Sequence, residues 1–171
     1  FDCFTVFRDR QITNSNTAPY GDIRVLKSRN ISDDGSTIID IDGYDSYIME
    51  ETASLLSVYD YLNREDVYIT PNMTYKPRVM RKPKGVLVNG SLAILIPKTE
   101  LKLTEEQCRY FSTDEYRKFY LTARNYQTRS LNVDACSVFF YGVLRNDCKN
   151  VPTTEGKRCK QYLVETEMED V

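Results

Sequence analysis

The chain has 171 residues, of which 41% are hydrophobic and 28% charged, with a formal net charge of −2. That length suits one domain with its own core, and the balanced charge excludes the global field that draws nucleic acid or an anionic membrane. With no histidine anywhere, every mechanism built on an imidazole base or a His-bearing zinc site is excluded as well.

In chain order, residues 3–8 alternate and predict a strand with Phe4 and Val6 on one face. A polar loop spans 11–18, a second strand 22–27, a turn-rich segment 30–36 and a third strand 37–41. Residues 47–64 contain neither Gly nor Pro, and Ile48, Thr52, Leu55, Tyr59 and Leu62 recur at helical steps. Asp45 or Ser46 is the expected cap, and Glu50 and Glu51 suit the first turn, so the spacing predicts one long helix lying on a sheet.

A strand is expected at 67–70 and an irregular basic segment at 71–84. Residues 85–97 place two apolar, β-branched runs around Asn89-Gly90, which predicts a hairpin closed by a type I′ turn. Both faces of that ribbon are apolar, so its strands are expected to be central and covered on two sides. Thr104-Glu105-Glu106-Gln107 and Ser112-Thr113-Asp114-Glu115 fit capping boxes. They predict a short helix through Phe111 and a second with Tyr116, Phe119, Tyr120 and Ala123 on one face, a strand at 118–124 being the competing reading. A buried strand at 135–145, a cysteine-bearing loop at 146–159 and a half-exposed strand at 161–168 complete the chain. No run approaches the roughly 20 apolar residues that span a bilayer, so no membrane insertion is expected of this segment.

The five cysteines, Cys3, Cys108, Cys136, Cys148 and Cys159, include no Cys-x-x-Cys pair and are expected to supply a disulfide framework. Their odd number leaves about fifteen connectivities open. Three N-glycosylation triplets begin at Asn30, Asn72 and Asn89, each in an expected loop or turn. Together these cues predict a secreted protein or the extracellular face of a membrane protein. Phe1-Asp2-Cys3 carries neither a basic nor an apolar leader region and reads as a mature or trimmed end.

The best surface-binding candidate is the cation run Lys76, Arg78, Arg81, Lys82 and Lys84, stiffened by Pro77 and Pro83. It is expected to meet an acidic protein patch or an anionic glycan, and Arg78-Val79-Met80-Arg81 has the spacing of a processing-protease site. Asp40-Ile41-Asp42-Gly43-Tyr44-Asp45 faintly resembles a calcium loop, but its Gly falls early and Tyr44 replaces a ligand, so Asp45 is better explained as a helix cap. Tyrosines at 44, 47, 59, 61, 116, 120 and 126 suit either an interface or half-buried helix faces.

The expected fold is α+β: a single disulfide-tied domain over 1–171, mainly antiparallel sheet packed by one long and one or two shorter helices. Elimination points to a non-catalytic, extracellular protein-binding module engaging a cell-surface or secreted host protein, with no metal and no cofactor. Cys136-x-Val followed by Cys159-x-x-Tyr-Leu-Val is similar to the C-terminal half of arthropod salivary lipocalins, and that resemblance implies a barrel-shaped small-ligand carrier as an alternative. A carboxylate-based hydrolase, needing two converging acids, is a second alternative.

Overall fold

Short apolar runs punctuated by Gly, Pro, Asn and Asp give short strands. The computed structural model describes residues 3–98, 102–123 and 131–132. In chain order they form strands β1 (Phe4–Phe7), β2 (Ile23–Leu26) and β3 (Ser46–Ile48), then the single-turn helix α1 (Glu50–Ala53). Strands β4 (Tyr68–Pro71), β5 (Met73–Thr74), β6 (Met80–Arg81), β7 (Val86–Val88) and β8 (Leu92–Pro97) follow. Helices α2 (Glu105–Tyr110) and α3 (Asp114–Ala123) precede β9 (Leu131–Asn132).

The strands make three open sheets in the orders β1-β8-β4-β6, β3-β2-β7 and β5-β9, with no closed barrel among the described residues. All pairings are antiparallel except β2 with β7. The class is therefore α+β with mainly antiparallel sheet and few helices. No helix of the described residues is long and apolar enough to cross a membrane.

Strand β8 is the wall between two cores. Side chains alternate across a strand. Leu92 and Ile94 accordingly enter a cluster with Val25, Leu26, Leu87 and Val88 of the three-stranded sheet. Ala93 and Leu95 enter a second cluster with Phe4, Tyr68, Leu103, Phe111, Tyr116 and Tyr120. Burying one such aliphatic side chain stabilises by about 1.5–3 kcal/mol, which is why a strand apolar on both faces takes this central place.

The expected hairpin is not one. β7 and β8 join different sheets: Val86, Leu87 and Val88 pair in parallel with Arg24, Val25 and Leu26, while β8 pairs with β1 and β4. The turn closes through Leu92 N–H donating to the Asn89 carbonyl at 2.9 Å. Positive φ occurs at Gly35, Gly43 and Gly85 rather than at Gly90, so a type I′ turn is absent. Glycine is needed at 90 because a Cβ there would lie 2.7 Å from the Asp9 carbonyl oxygen. Local turn chemistry was overridden by the gain from putting each apolar strand in its own sheet.

The long helix at 47–64 is also corrected. Ile48 ends β3 opposite Ile23, one helical turn follows, and Ser57–Tyr61 is a 3₁₀ turn. The residues that become buried are Ile48, Ala53, Val58 and Leu62, whereas Leu55 is 83% exposed. The two steps of five residues, from 48 to 53 and from 53 to 58, do not fit a 3.6-residue repeat, so the segment folds as successive turns. Residues 37–41 form no strand; Ile38 makes an isolated bridge to Ile31.

The capped helices do form. The Thr104 hydroxyl accepts from Gln107 N–H at 3.2 Å while the Gln107 side chain accepts from Thr104 N–H at 2.7 Å. At α3 the cap is Thr113 rather than Ser112, its hydroxyl accepting from Tyr116 N–H at 3.2 Å. The expected elements at 135–145, 146–159 and 161–168, and with them the lipocalin-like motifs, lie outside the described residues.

Candidate functional site

The basic segment does not form one cationic surface. Lys76 pairs with Asp33 at 2.9 Å. Arg78 is 8% exposed; its guanidinium donates to the Ser28 carbonyl at 3.0 Å and the Lys76 carbonyl at 3.2 Å, tying the loop to the turn after β2. Lys82 is 1% exposed, and its Nζ donates to the carbonyls of Leu62 at 2.9 Å and Pro83 at 2.8 Å. Burial pushes the Lys82 pKa down to about 8, with Glu65 opposing the shift. Arg81 and Lys84 remain exposed. The processing spacing is equally closed off, since Val79 is fully buried and Met80–Arg81 is strand β6.

Arg81 instead belongs to a cleft of about 360 Å³ that also holds Arg109 and Glu105 of α2. Its floor is Met80, Leu103 and Cys108, and its rim is Gly35-Ser36. Each wall is fixed. Arg81 sits on the edge strand in register with Tyr68, whose hydroxyl accepts from Leu103 N–H at 2.7 Å and so anchors the approach to α2. Glu105 and Arg109 stand four residues apart, one turn along the same helix face.

The rim is held by Asp34, which accepts from Ser36 N–H at 3.1 Å and from the Ser36 hydroxyl at 2.8 Å. Hydrogen bonds from Ser32 and Ser36 keep the Asp34 carboxyl down at about 2. Gly35 has φ 70 and comes so close to β6 that a Cβ would lie 3.2 Å from the Val79 carbonyl oxygen. Neither Arg81, Arg109 nor Glu105 joins any of the ion pairs among the described residues, which involve Arg24, Arg64 and Lys76. Cys108 is a free, buried thiol whose pKa is raised to about 11 by burial. It therefore stays protonated and is no nucleophile; no disulfide is present among the described residues.

The three acceptor triplets separate sharply. Asn30 is fully buried; its Oδ1 accepts from Lys27 N–H at 2.9 Å, and its Nδ2 donates to the Ile39 carbonyl at 3.0 Å and to Asp45 Oδ1 at 2.6 Å. A glycan has no room on that nitrogen in this fold, so Asn30 is a structural residue. Asn72 and Asn89 are half-buried neighbours: Asn72 N–H donates to the Ser91 carbonyl at 2.9 Å, and its Nδ2 to the Gly90 carbonyl at 3.3 Å. In Asn89 the Oδ1 accepts from Ser91 N–H at 3.1 Å and from the Ser91 hydroxyl at 2.6 Å. Both lie at the far end of β4, where Pro71 pairs with Leu92, whereas Tyr68 pairs with Arg81 at the cleft. At about 3.3 Å per residue, the four steps from 68 to 72 separate the two ends by about 13 Å.

Asp45 caps no helix. Its carboxylate accepts from Asn30, from Arg24 at 3.0 Å and from Ile41 N–H at 3.2 Å, closing the turn before β3. No group of three or more acids or thiols among the described residues could hold a metal ion. Of the tyrosines, Tyr116 and Tyr120 are core, Tyr44 packs beneath Lys27 and Arg29, and Tyr126 lies outside the described residues. Cys3 is half-buried against the second core cluster. Cys136, Cys148 and Cys159 lie outside the described residues. Sequence reasoning found Arg81 but missed Ser36, Glu105 and Arg109. The single usable signal was the capping box, which fixes where α2 begins and hence that positions 105 and 109 share a face.

No family model matches the chain, and no curated protein matches it in sequence.

Proposed function

We propose that this chain is a non-catalytic protein-binding module of a secreted or cell-surface glycoprotein, with its contact surface centred on the Arg81/Arg109 cleft. The observation that carries this reading is the separation along β4: the cleft lies at one end, and the two half-buried acceptor triplets at Asn72 and Asn89 lie together at the other. Sugar at those positions would be attached at the end of β4 away from the cleft. A concave patch with arginines over a small apolar floor has the composition of an interface centre.

The chemistry of the cleft favours binding over catalysis. It offers one carboxylate, Glu105, and a thiol held protonated, in a chain without histidine. Its polar walls suit a protein side chain better than a lipid-like ligand. The partner is a host-type cell-surface or secreted protein, captured as in partner recognition or immune evasion.

The test is affinity capture on extracellular and cell-surface proteins with the full chain secreted from a eukaryotic cell. The expected result is one saturable partner, retained after the glycans are trimmed and lost when Arg81 and Arg109 are both changed to Glu. Absence of any saturable partner, or binding that depends on the sugar at Asn72 or Asn89, would overturn the reading.

A further inference from the structure

We propose that the Arg81/Arg109 cleft receives an aspartate or glutamate side chain of the partner, presented beside an apolar residue, an inference that rests on the binding-module reading above. Guanidinium forks match a carboxylate with two parallel hydrogen bonds, and two of them face one cleft with no ion pair of their own among the described residues. Arg81 also meets the Tyr68 side chain, but neither arginine has a carboxylate partner among the described ion pairs, and low-dielectric walls concentrate their field.

Glu105 decides which anion. With two arginines and one carboxylate, the cleft carries one net positive charge, which complements a monoanion and not a doubly charged phosphate. A sulfated glycan fits worse. A polyanionic chain needs a track of free cations, and Arg78 and Lys82 are buried on backbone carbonyls while Lys76 is held by Asp33. The floor formed by Met80, Leu103 and Cys108 supplies the apolar contact for a neighbouring side chain. At about 360 Å³ the space lies at the small end of binding pockets, which run from about 300 to 1,000 Å³. The walls are pre-organised by the Tyr68–Leu103 hydrogen bond, the Thr104 capping box and the Asp34 turn, which lowers the entropy cost of binding.

The experiment uses the full chain and libraries of immobilised heptapeptides, random except for a central Glu, Gln or phosphoserine. The Glu library is expected to retain at least about tenfold more chain than the Gln library, which corresponds to about 1.4 kcal/mol. Arg81→Glu and Arg109→Glu should each abolish that preference, Arg81→Gln and Arg109→Gln should weaken it, and Lys84→Glu should leave it within about twofold. Matching thermal unfolding midpoints would show that the variants remain folded. Equal retention of Glu and Gln libraries, retention indifferent to both arginines, or stronger retention by phosphoserine would overturn the inference. If the capture experiment still yields a partner lost on charge reversal, the module reading stands and only the acidic ligand falls.

Discussion

Residues 76–84 present two faces with the same composition and opposite physics. On the inward face Arg78 and Lys82 are buried, their charges met by backbone carbonyls of Ser28, Lys76, Leu62 and Pro83. On the outward face Arg81 and Lys84 stand in solvent, and Arg81 lines a cleft. Arg81 and Lys82 are neighbours on an extended stretch, so their side chains leave on opposite faces, whereas Lys84 follows Pro83 beyond strand β6. A run of cations therefore splits between structural and available charges. The difference teaches that a buried cation is part of the fold's hydrogen-bond network, and only the remaining ones can recognise a partner.

The largest expected effect comes from inverting the inward face. Lys82→Glu would put a carboxylate against the Leu62 and Pro83 carbonyl oxygens, and urea denaturation should show a loss of at least about 3 kcal/mol. Lys82→Met leaves those carbonyls short of a donor but removes the desolvated charge, so it should cost far less. The same pair exposes a pH signature. Below about pH 8 the lysine is charged in both states and the native state bears the burial cost. Between about 8 and the ordinary value of 10.5 the native state releases the proton that the unfolded chain still holds. Stability of the wild type relative to Lys82→Met should therefore rise through that window, by up to about 3 kcal/mol; a flat difference would show that the carbonyls fully compensate the charge.

Asn30→Ala is next. It removes hydrogen bonds to Lys27, Ile39 and Asp45 from a fully buried site, and chemical denaturation should show a loss of about 2–3 kcal/mol. Gly90→Ala drives a methyl against the Asp9 carbonyl at 2.7 Å and should cost about 1–3 kcal/mol in the same assay. Smallest of all, Arg81→Glu and Lys84→Glu should change stability by less than about 0.5 kcal/mol, although the first is expected to abolish acidic-peptide binding. A large destabilisation by Arg81→Glu would erase the contrast between the two faces.

Glycosylation sharpens the same distinction between buried and available polar groups. Of the three identical-looking triplets, the one at Asn30 is spent on the turn around Asp45, while those at Asn72 and Asn89 share one end of β4. The motif specifies only a local tripeptide, so its three copies could not be told apart without the surrounding fold.

What the sequence determined by itself is what local chemistry can determine. The reciprocal hydrogen bonds of Thr104 and Gln107 lie within one turn, and α2 forms where they predict it. Residues 23–26, 68–71 and 92–97 are short apolar runs, and they are strands. The two apolar faces of β8 likewise required cover on both sides, which the two core clusters provide. The α+β class with mainly antiparallel pairing follows from those elements.

Tertiary structure alone decided the rest. Asn89-Gly90 favours a hairpin locally, yet β7 pairs with β2 and β8 with β1 and β4, because separate sheets bury both strands on both faces. Residues 47–64 contain a helical stripe, yet the surface they meet buries positions 48, 53, 58 and 62 and leaves Leu55 in solvent. The cleft joins residues from positions 35, 81 and 109, and no periodicity within a single segment encodes a meeting of that kind. Lys82 faces inward for the same reason: its burial depends on the carbonyls of Leu62 and Pro83, and the first of these is brought to it only by the fold.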